Sequence, residues 1–342
     1  MEDSPGKITW TILHRYPDDP DISDRWRKFL TRADFAAHYV SPEYFREPFI
    51  RSKRPFVVLV WQGKRVVAAL SGIHENQQLL CGLRSRPQIC FDKTADQVAV
   101  AHALADGLLS EADSEKLITF YSWSPLDALS TRGYRGQQEE GVVMLDLTKG
   151  AGELFKQFSQ TRRNDIRNAI KRGIDVVIAS TRDQFRTYYD IYLDWCQRKK
   201  LTPTSFDVIE QALRLPNRRL FLARYNGKTI AGTIIRLYPA AMIEYAANNS
   251  LDEHLKLRPN DLLQWHVVDW ACREGFKRYN LGGAHLFVRR MGGEVAPVYR
   301  YRLDRTWFRR HELREALAKS GRLMFNALPS SVRVRLRQTL KS

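Results

Sequence analysis

Glu244 and His285 are the two side chains of this sequence best suited by type and context to accept a proton. Glu244 lies in a β-rich run next to Tyr245, and because strand side chains alternate, only one of those two can face a given site. His285 follows the Gly282-Gly283 break, although a lone histidine is also compatible with a purely structural role. The candidate catalytic residues are therefore Glu244, Tyr245 and His285.

Signatures of covalent or metal catalysis do not accompany these residues. The sequence has no Ser-His-Asp order, no HExxH, no Walker loop, and no His/Cys cluster with the spacing of metal ligands. We therefore expect no metal. Any catalysis should depend on positioning and proton transfer rather than on a covalent enzyme intermediate.

Residues 159–172 form a basic helical pattern. At about 100° per residue, three apolar residues should face the core: Ile166, Ala169 and Ile170. Three cations should line one flank: Arg163, Arg167 and Lys171. This flank either binds phosphates or is an ordinary solvated face. Arg162 falls within the apolar arc, where a cation needs a bound anion, a buried acidic partner or a route to solvent.

A second candidate binding element is the turn before residue 261. Lys256 and Arg258 precede it, and Asn260 or Asp261 can cap the helix that follows. Helix N-termini favour anions, so these residues predict a phosphate site at this turn. Plain helix capping is the alternative.

Two β-hairpins with similar turns lie 164 residues apart, one around Gly63 and one around Gly227. In the first, runs 56–61 and 65–73 flank Gln-Gly-Lys; in the second, runs 220–225 and 229–237 flank Asn-Gly-Lys. Each hairpin precedes another strand, an amphipathic helix and a further strand. We interpret this order as two copies of one α/β unit, with a chance match of a common turn as the alternative.

A turn signal at residues 150–152 separates the two copies. The predicted organisation is a first domain over 1–150, a second over 151–310 and a basic helical tail over 311–342. In the tail, three apolar residues recur every fourth position beside three cations: Val332, Leu336, Leu340, Arg333, Arg337 and Lys341. Such a helix can lie on anionic lipid or nucleic acid, or it can dock on its own domain.

Composition indicates a folded, strongly basic protein. The 342 residues carry a formal net charge of +17, and twelve Lys or Arg against three acidic residues put +9 of it in 300–342. This field favours polyanionic partners: coenzyme phosphates, nucleotide-sugars, tRNA or anionic lipid. Without a signal-peptide pattern or an 18-residue apolar run, we expect a cytoplasmic protein, soluble or peripheral at the inner face of the membrane. The four cysteines lack metal spacing and are expected to be reduced core residues.

Three segments resemble the FemAB-like branch of the Gcn5-related N-acetyltransferase (GNAT) superfamily, also described as BioF2-like acetyltransferases. Residues 159–173 are similar to a family segment R…IRxAxxxG, and 258–275 to P…LLxW…WAxxxG. Residues 279–283, YNLGG, stand where the family has Asp-Leu-Gly-Gly. The resemblance covers about residues 150–300 and implies an α/β (α+β) fold of tandem GNAT-like domains, each a mixed central sheet flanked by helices.

The resemblance also implies where ligands lie. In GNAT folds an acyl donor lies against a splayed pair of central strands, with backbone amides at its carbonyl. Six residues here are then expected to hold the donor: Lys256, Arg258, Asn260, Asn280, Gly282 and Gly283. Four are expected to hold substrate: Arg162, Arg163, Arg167 and Asn248. Asn280 replaces the family Asp, and since an amide is no general base, only a positioning role is expected of it. The usual Gly-rich pyrophosphate loop is absent.

The predicted function is an N-acyltransferase that moves an acyl group from acyl-CoA to an amine, in cell-envelope or polysaccharide biosynthesis. No tightly bound cofactor is implied; acyl-CoA, or else aminoacyl-tRNA, is a co-substrate. The expected partners are a phosphate-bearing acyl donor and an amine-bearing envelope precursor or sugar, with tRNA and anionic membrane as further candidates. The alternatives are an aminoacyl-tRNA-dependent aminoacyl transferase and a non-catalytic nucleic-acid or membrane-surface binding protein.

Overall fold

The computed structural model describes residues 6–327, which build one large mixed sheet flanked by helices. The strands are β1 (Ile8–Leu13), β2 (Pro55–Gln62), β3 (Arg65–Glu75), β4 (Gln78–Cys81), β5 (Ile89–Phe91), β6 (Leu117–Ser122), β7 (Arg135–Asp146), β8 (Asp175–Ile178), β9 (Arg218–Tyr225), β10 (Lys228–Leu237), β11 (Met242–Ser250), β12 (Arg278–Gly283) and β13 (Glu294–Asp304). The helices are α1 (Pro20–Leu30), α2 (Gln97–Glu111), α3 (Ala151–Gln157), α4 (Gln160–Lys171), α5 (Arg182–Lys199), α6 (Phe206–Leu213), α7 (Pro259–Arg273), α8 (Leu286–Arg289) and α9 (Arg310–Ala327). The predicted fold class is confirmed.

The order of elements in the first half recurs in the second. The hairpin β2–β3 corresponds to β9–β10, the helix α2 to α7, and the long strand β7 to β13. In both halves the strand after the hairpin pairs in parallel with the strand after the helix: β4 with β6, and β11 with β12. We call residues 6–150 the first unit and residues 151–310 the second unit. The two units therefore share one topology.

Two short strands, β4 and β5, follow the first hairpin, and each pairs with β3 rather than with the other. Only an isolated bridge between Leu83 and Arg86 closes the loop between them. The loop is thereby left at the edge of β3, where it contacts the second unit.

The last strand of each unit pairs with the other unit. The strand order across the centre of the sheet is β6-β13-β7-β12, so β13 lies beside β6 and β7 lies beside β12. All of these central pairings are antiparallel. The domain boundary proposed at residue 150 stays a prediction. Strand pairs join the residues on either side of it, since β7 pairs with β12 and β13 pairs with β6.

Helices cover both faces of the second unit. Helices α4 and α7 pack on one face, around Ile166, Leu262 and Val267, and α5 and α6 pack on the other face. Cys81, Cys90 and Cys196 are buried free thiols and Cys272 is half-buried, as predicted for core residues. Within residues 6–327, no helix has the length and apolar character needed to span a bilayer. Of the predicted basic tail, residues 328–342 lie outside the described part of the chain.

A buried polar network joins the two units. The Arg218 guanidinium, on β9, donates to the Glu47 carboxylate of the first unit, and both side chains are almost fully buried. His38 Nε2 lies 2.5 Å from Glu47 Oε1, and Asn217 Nδ2 donates to His38 Nδ1. Burial lowers the pKa of His38 to about 4, so its ring is neutral at pH 7 and donates to Glu47. Burial alone would raise the pKa of Glu47, but the His38 hydrogen bond and the Arg218 charge bring it to about 2.

These shifts predict that the protein loses stability in mild acid. Since the pKa of His38 is lower in the folded than in the unfolded state, its contribution is complete above pH 6.5 and is lost as the pH falls toward 4. The free energy of unfolding should fall by up to about 1.4 kcal/mol per pH unit in that window. Glu47 adds a further loss between about pH 4.5 and 2.

Urea unfolding between pH 7.5 and 4.5 tests this prediction. The free energy of unfolding should change less steeply with pH in His38→Gln than in wild type. The Gln amide can still donate to Glu47 but does not titrate. His285→Gln, at an exposed position, is the matched control and should keep the wild-type slope. An unchanged slope in His38→Gln would contradict the assignment.

Candidate functional site

The second unit contains two parallel central strands that part at a defined residue. Strands β11 and β12 pair at Met242 with Arg278, Ile243 with Tyr279, and Glu244 with Asn280, and the pairing ends there. The register of β11 against β10 shifts just beyond this point, leaving Ala246 without a partner in the ladder. Such a bulge bends its strand. The result is a groove that begins at Glu244 and Asn280.

The side chains at this point face opposite sides of the sheet. Ile243 and Tyr279 are buried beneath α7, and Tyr245 packs against the same core. Glu244 and Asn280 face the other side, toward the first unit, because strand side chains alternate. Glu244 and Tyr245 therefore border the groove from opposite faces, as strand alternation predicts.

Glu244 is a buried carboxylate without a hydrogen bond. Its side chain is 3% exposed, and neither oxygen has a partner among the described residues. Its cross-strand neighbours on this face are Arg236 and Asn280. Since a buried, unpaired carboxylate is costly, its presence at the apex of the groove calls for a functional reason.

Asn280 is held on both sides of its amide. Its Oδ1 accepts from the Gly282 backbone at 2.8 Å, and its Nδ2 donates to the Ser85 carbonyl, in the loop after β4, at 3.1 Å. The predicted positioning role agrees with this geometry. Only an amide can both donate and accept here, whereas an ionised Asp would face the Ser85 carbonyl and stand beside Glu244.

Asn280→Asp is accordingly expected to lower the free energy of unfolding by about 1–3 kcal/mol, the cost of a buried polar group left without its partner. Urea denaturation measures the change. Asn164→Asp, at an exposed position on α4, is the control and should alter stability by no more than about 0.5 kcal/mol. Equal stabilities of Asn280→Asp and wild type would show that the hydrogen bond from Asn280 to the Ser85 carbonyl does not contribute to stability.

A buried chain of polar side chains supports β11 from the α7 side, and sequence reasoning missed it. Tyr279 Oη donates to Gln264 Oε1 at 2.6 Å, Gln264 Nε2 donates to Thr233 Oγ1 at 3.3 Å, and Thr233 Oγ1 donates to the Ala247 carbonyl at 2.9 Å. The available signal was Gln264, an amide among the apolar residues of α7. These bonds fix the strand that forms one wall of the groove.

The turn before α7 differs from the capping prediction. Neither Asn260 nor Asp261 caps the helix; the N-cap is Arg258, in a left-handed conformation with φ of 63°, and its side chain makes no capping hydrogen bond. Asn260 Nδ2 instead donates to Ser250 Oγ at 3.3 Å. The Lys256 side chain is exposed. The helix therefore begins without a side-chain cap, which leaves its positive end available to an anion.

Arg162 forms a buried ion pair, one of the outcomes expected for a cation in the apolar arc. Its guanidinium lies 3.2 Å from Asp261 in the first turn of α7, donates to the Phe287 carbonyl at 2.6 Å and stacks 4.3 Å from the Phe287 ring. Burial lowers the pKa of Arg162 and raises that of Asp261. Its Nε has no hydrogen-bond partner among the described residues, so donor capacity remains at the groove.

The predicted flank of α4 is only partly free. Arg163 donates to the Lys156 and Phe158 carbonyls, which end α3, so it has a structural contact. Arg167 is exposed above the Phe155 ring. The predicted core position of Ile170 is wrong, because this side chain is 53% exposed. The buried apolar residues of α4 are Ile166 and Ala169.

The remaining predicted residues lie along the two parted strands. Asn248, on β11, is half-buried with an Oδ1 that has no partner among the described residues. Gly282 has φ of +80°, a conformation that favours glycine, and a Cβ built at Gly283 would meet open space. His285 is exposed and precedes α8. His285 therefore lies at the open end of the groove and Glu244 at its closed end.

A cavity of about 1050 Å³ lies between the units on the Glu244 side of the sheet. Its floor includes Met242 and Arg278, the residues two positions before Glu244 and Asn280 on the same faces of their strands. Phe35 of the first unit lines it, with the Arg278 guanidinium 4.5 Å above its ring. Lys149 and Lys277 also line it. Apolar, cationic and acidic side chains thus line this chamber, the acidic ones being Asp34, Glu43, Asp146 and Glu294. Glu244 is not among the lining residues but lies two positions beyond Met242 on β11.

Residues 159–296 match the family model described as an acetyltransferase (GNAT) domain. This part of the chain is a GNAT acetyltransferase domain. The matched residues contain α4, the parted strands and α7, whereas Ser85, Phe35 and most of the chamber lie outside them. The groove belongs to this GNAT domain, and the first unit completes the other side of its apex through Ser85.

Solved structures share the fold at low sequence identity. FemX is 14% identical with a TM-score of 0.64, over 86% of this chain and 98% of FemX. L-PGS from Bacillus licheniformis is 14% identical with a TM-score of 0.56, over 86% of this chain and 93% of that one. A tandem GNAT protein from the clavulanic acid biosynthesis pathway is 14% identical with a TM-score of 0.53, over 88% and 99%. No curated protein sequence matches this chain. The tandem GNAT fold predicted from sequence is confirmed, and the predicted GNAT family is confirmed over residues 159–296.

Proposed function

We propose that this protein transfers an acyl group from acyl-CoA to the amine of a cell-envelope precursor or polysaccharide sugar. The observation that carries the proposal is Glu244, a buried carboxylate with no hydrogen-bond partner at the residue where β11 and β12 part. A carboxylate in that position can take a proton from an amine that enters from the first-unit side.

The proposed reaction is a direct transfer. The neutral amine attacks the thioester carbonyl carbon, a C–N bond forms, the C–S bond breaks, and the amine proton passes to Glu244. Tyr245, on the opposite face, protonates the departing thiolate; burial raises the pKa of Tyr245, so its phenol is protonated at neutral pH. The unpaired backbone at Ala246 supplies an amide near the developing oxyanion.

The donor is proposed to lie on the α7 side of the groove. The uncapped N-terminus of α7 favours a phosphate group, and the exposed Lys256 adds positive charge beside it. Arg162 and Arg258 also lie there, each paired with a carboxylate, Asp261 and Asp165 respectively. The pantetheine arm would then run between the parted strands, along Asn248 on one side and Gly282-Gly283 on the other. Backbone approach there is aided by the open space at Gly283.

The acceptor is proposed to occupy the chamber between the units. Lys149, Lys277 and Arg278 line it and suit a phosphate- or carboxylate-bearing molecule, while Phe35 offers a flat apolar surface. An acceptor held there would present its amine to Glu244 from the side opposite the donor. Both units would then contribute residues to one reaction.

Aminoacyl-tRNA is the second candidate donor. The observation that favours it is the exposed positive charge beside the groove, on Arg167, Lys171 and Lys256, which a polyanion larger than a coenzyme can contact. The shared fold with FemX and L-PGS is compatible with either donor.

Thermal-shift measurements with acetyl-CoA, longer acyl-CoAs, UDP-sugars and tRNA distinguish these donors. A rise in Tm with CoA thioesters alone would support the proposal and exclude the tRNA donor. A rise with tRNA alone would favour the second candidate. If no acyl donor raises Tm while salt-sensitive RNA binding persists, the protein is a binding protein and the enzymatic proposal fails.

Charge reversal separates the role of Arg162 from that of a surface cation. Arg162→Glu should weaken donor binding about tenfold or more, whereas Arg172→Glu, an exposed position at the end of the same helix, should change it less than about threefold. Calorimetric titration with acyl-CoA measures both. Because Arg162→Glu also faces Asp261, Arg162→Gln serves as a milder variant and should show an intermediate loss. Equal effects at the two positions would refute the assignment.

A further inference from the structure

The helix α9 is attached to the body of the protein through its acidic residues. Glu312 pairs with Arg135 of β7 at 2.5 Å, and Glu315 pairs with Arg300 of β13 at 2.7 Å. Asp304, at the end of β13, accepts hydrogen bonds from the first backbone amides of α9, at His311 and Glu312. The polar face of this helix is therefore turned inward, toward the sheet.

The apolar residues of the same segment are turned outward. Leu313 and Leu317 are 56% and 64% exposed, and residues four apart share one face of a helix. Immediately before the helix, Trp307 and Phe308 are 75% and 73% exposed, with ring centroids 4.2 Å apart. We call Trp307, Phe308, Leu313 and Leu317 the aromatic patch. An ordinary soluble helix has the opposite orientation, so these side chains are placed to meet an apolar partner.

The charges around the aromatic patch identify the kind of partner. Arg309, Arg310 and Arg314 are exposed, whereas the two acidic residues of this part of the helix are the ones paired to the sheet. The outward surface is thus apolar at its centre and cationic at its rim. Tryptophan beside apolar and arginine side chains is the combination that settles at the interface of an anionic bilayer.

We propose that the aromatic patch docks this protein on anionic lipid bilayers. Trp307, Phe308, Leu313 and Leu317 enter the headgroup region, and Arg309, Arg310 and Arg314 contact lipid phosphates. The proposal does not depend on the acyl-transfer reaction. It places the membrane contact within residues 307–317 rather than in the basic residues that follow.

Flotation of the full chain with vesicles tests the proposal, using phosphatidylcholine alone and phosphatidylcholine with phosphatidylglycerol. Wild type should bind the anionic vesicles, and added salt should weaken binding. The double variants Trp307→Ser/Phe308→Ser and Leu313→Gln/Leu317→Gln should each lower binding about tenfold or more. The matched control is Val98→Gln/Ile170→Gln, two residues 55% and 53% exposed elsewhere, which should bind like wild type.

Three results would overturn the proposal. If both patch variants bind vesicles like wild type, the lipid contact lies elsewhere, for example in residues 328–342. If wild type does not bind and the patch variants have a lower Tm, another segment of this chain covers the patch. If wild type does not bind vesicles but is dimeric in light scattering, and the patch variants are monomeric, the partner is a second copy.

Discussion

Glu244→Gln is expected to lower kcat for acyl transfer by about 10²–10⁴-fold, the contribution of a positioned general base, with little change in KM. Gln has the shape of Glu but cannot accept the amine proton. Because neither Glu244 oxygen has a hydrogen-bond partner in the described structure, the substitution breaks no contact. The free energy of unfolding should therefore stay the same or rise, since a buried charge is removed.

Steady-state thiol release and urea unfolding, measured on the same preparations, check both parts of this prediction. Glu274→Gln is the control, because Glu274 is an exposed carboxylate of the second unit at the end of α7. It should keep wild-type kcat and stability. A folded Glu244→Gln enzyme with wild-type kcat would show that another group takes the proton.

Arg218→Ala is expected to lower the free energy of unfolding by about 3–5 kcal/mol, because it leaves a buried carboxylate without its cation. Glu47 would keep the hydrogen bond from the neutral His38 and the charge of Arg236, but no cation in direct contact. Loss of the Arg218–Glu47 ion pair should also weaken the contact between residues 38–47 and β9. That contact helps to keep the two walls of the chamber together.

Arg224→Ala is the matched control for Arg218→Ala. It lies on the same strand and pairs with Asp175 in the open, with 40% and 53% exposed side chains, so its loss should cost no more than about 1 kcal/mol. The double variant Arg218→Met/Glu47→Leu should recover much of the stability, since an apolar pair can replace a buried ion pair. Urea unfolding of the four proteins gives the comparison. If Arg218→Ala lowers the free energy of unfolding by less than about 1 kcal/mol, the Arg218–Glu47 ion pair does not stabilise the interface between the units.

Local patterns predicted the hairpin and the basic helix of the second unit, whereas β8, α5 and α6 were not predicted. The Gly227 turn fits the β9–β10 hairpin, and the helix pattern at 159–172 fits α4. Within that helix, Arg162 was recognised as a cation that needs a partner, because one turn of periodicity is enough to place it in the apolar arc. The same periodicity predicted a buried Ile170, which is exposed in the structure. Nothing in the sequence shows where α7 ceases to cover α4.

The site could be predicted only in part. Glu244 and Asn280 were found from their places on strands, but the face each presents depends on the register of β11 with β12. The bond from Asn280 to Ser85 joins residues 195 positions apart, and no local pattern reports such a contact. The chamber is likewise made by segments from both units.

Sequence by itself determined the duplicated α/β units, the family segments and the excess of positive charge, because these depend on residue type, spacing and turn chemistry over short stretches. Tertiary structure alone decided three things: the exchange of β7 and β13, the orientation of Glu244 into the unit interface, and the outward apolar face of α9. Each depends on pairing between distant residues, such as Glu315 with Arg300. The free energy of such pairings is set by burial and geometry that appear only when the whole chain is folded.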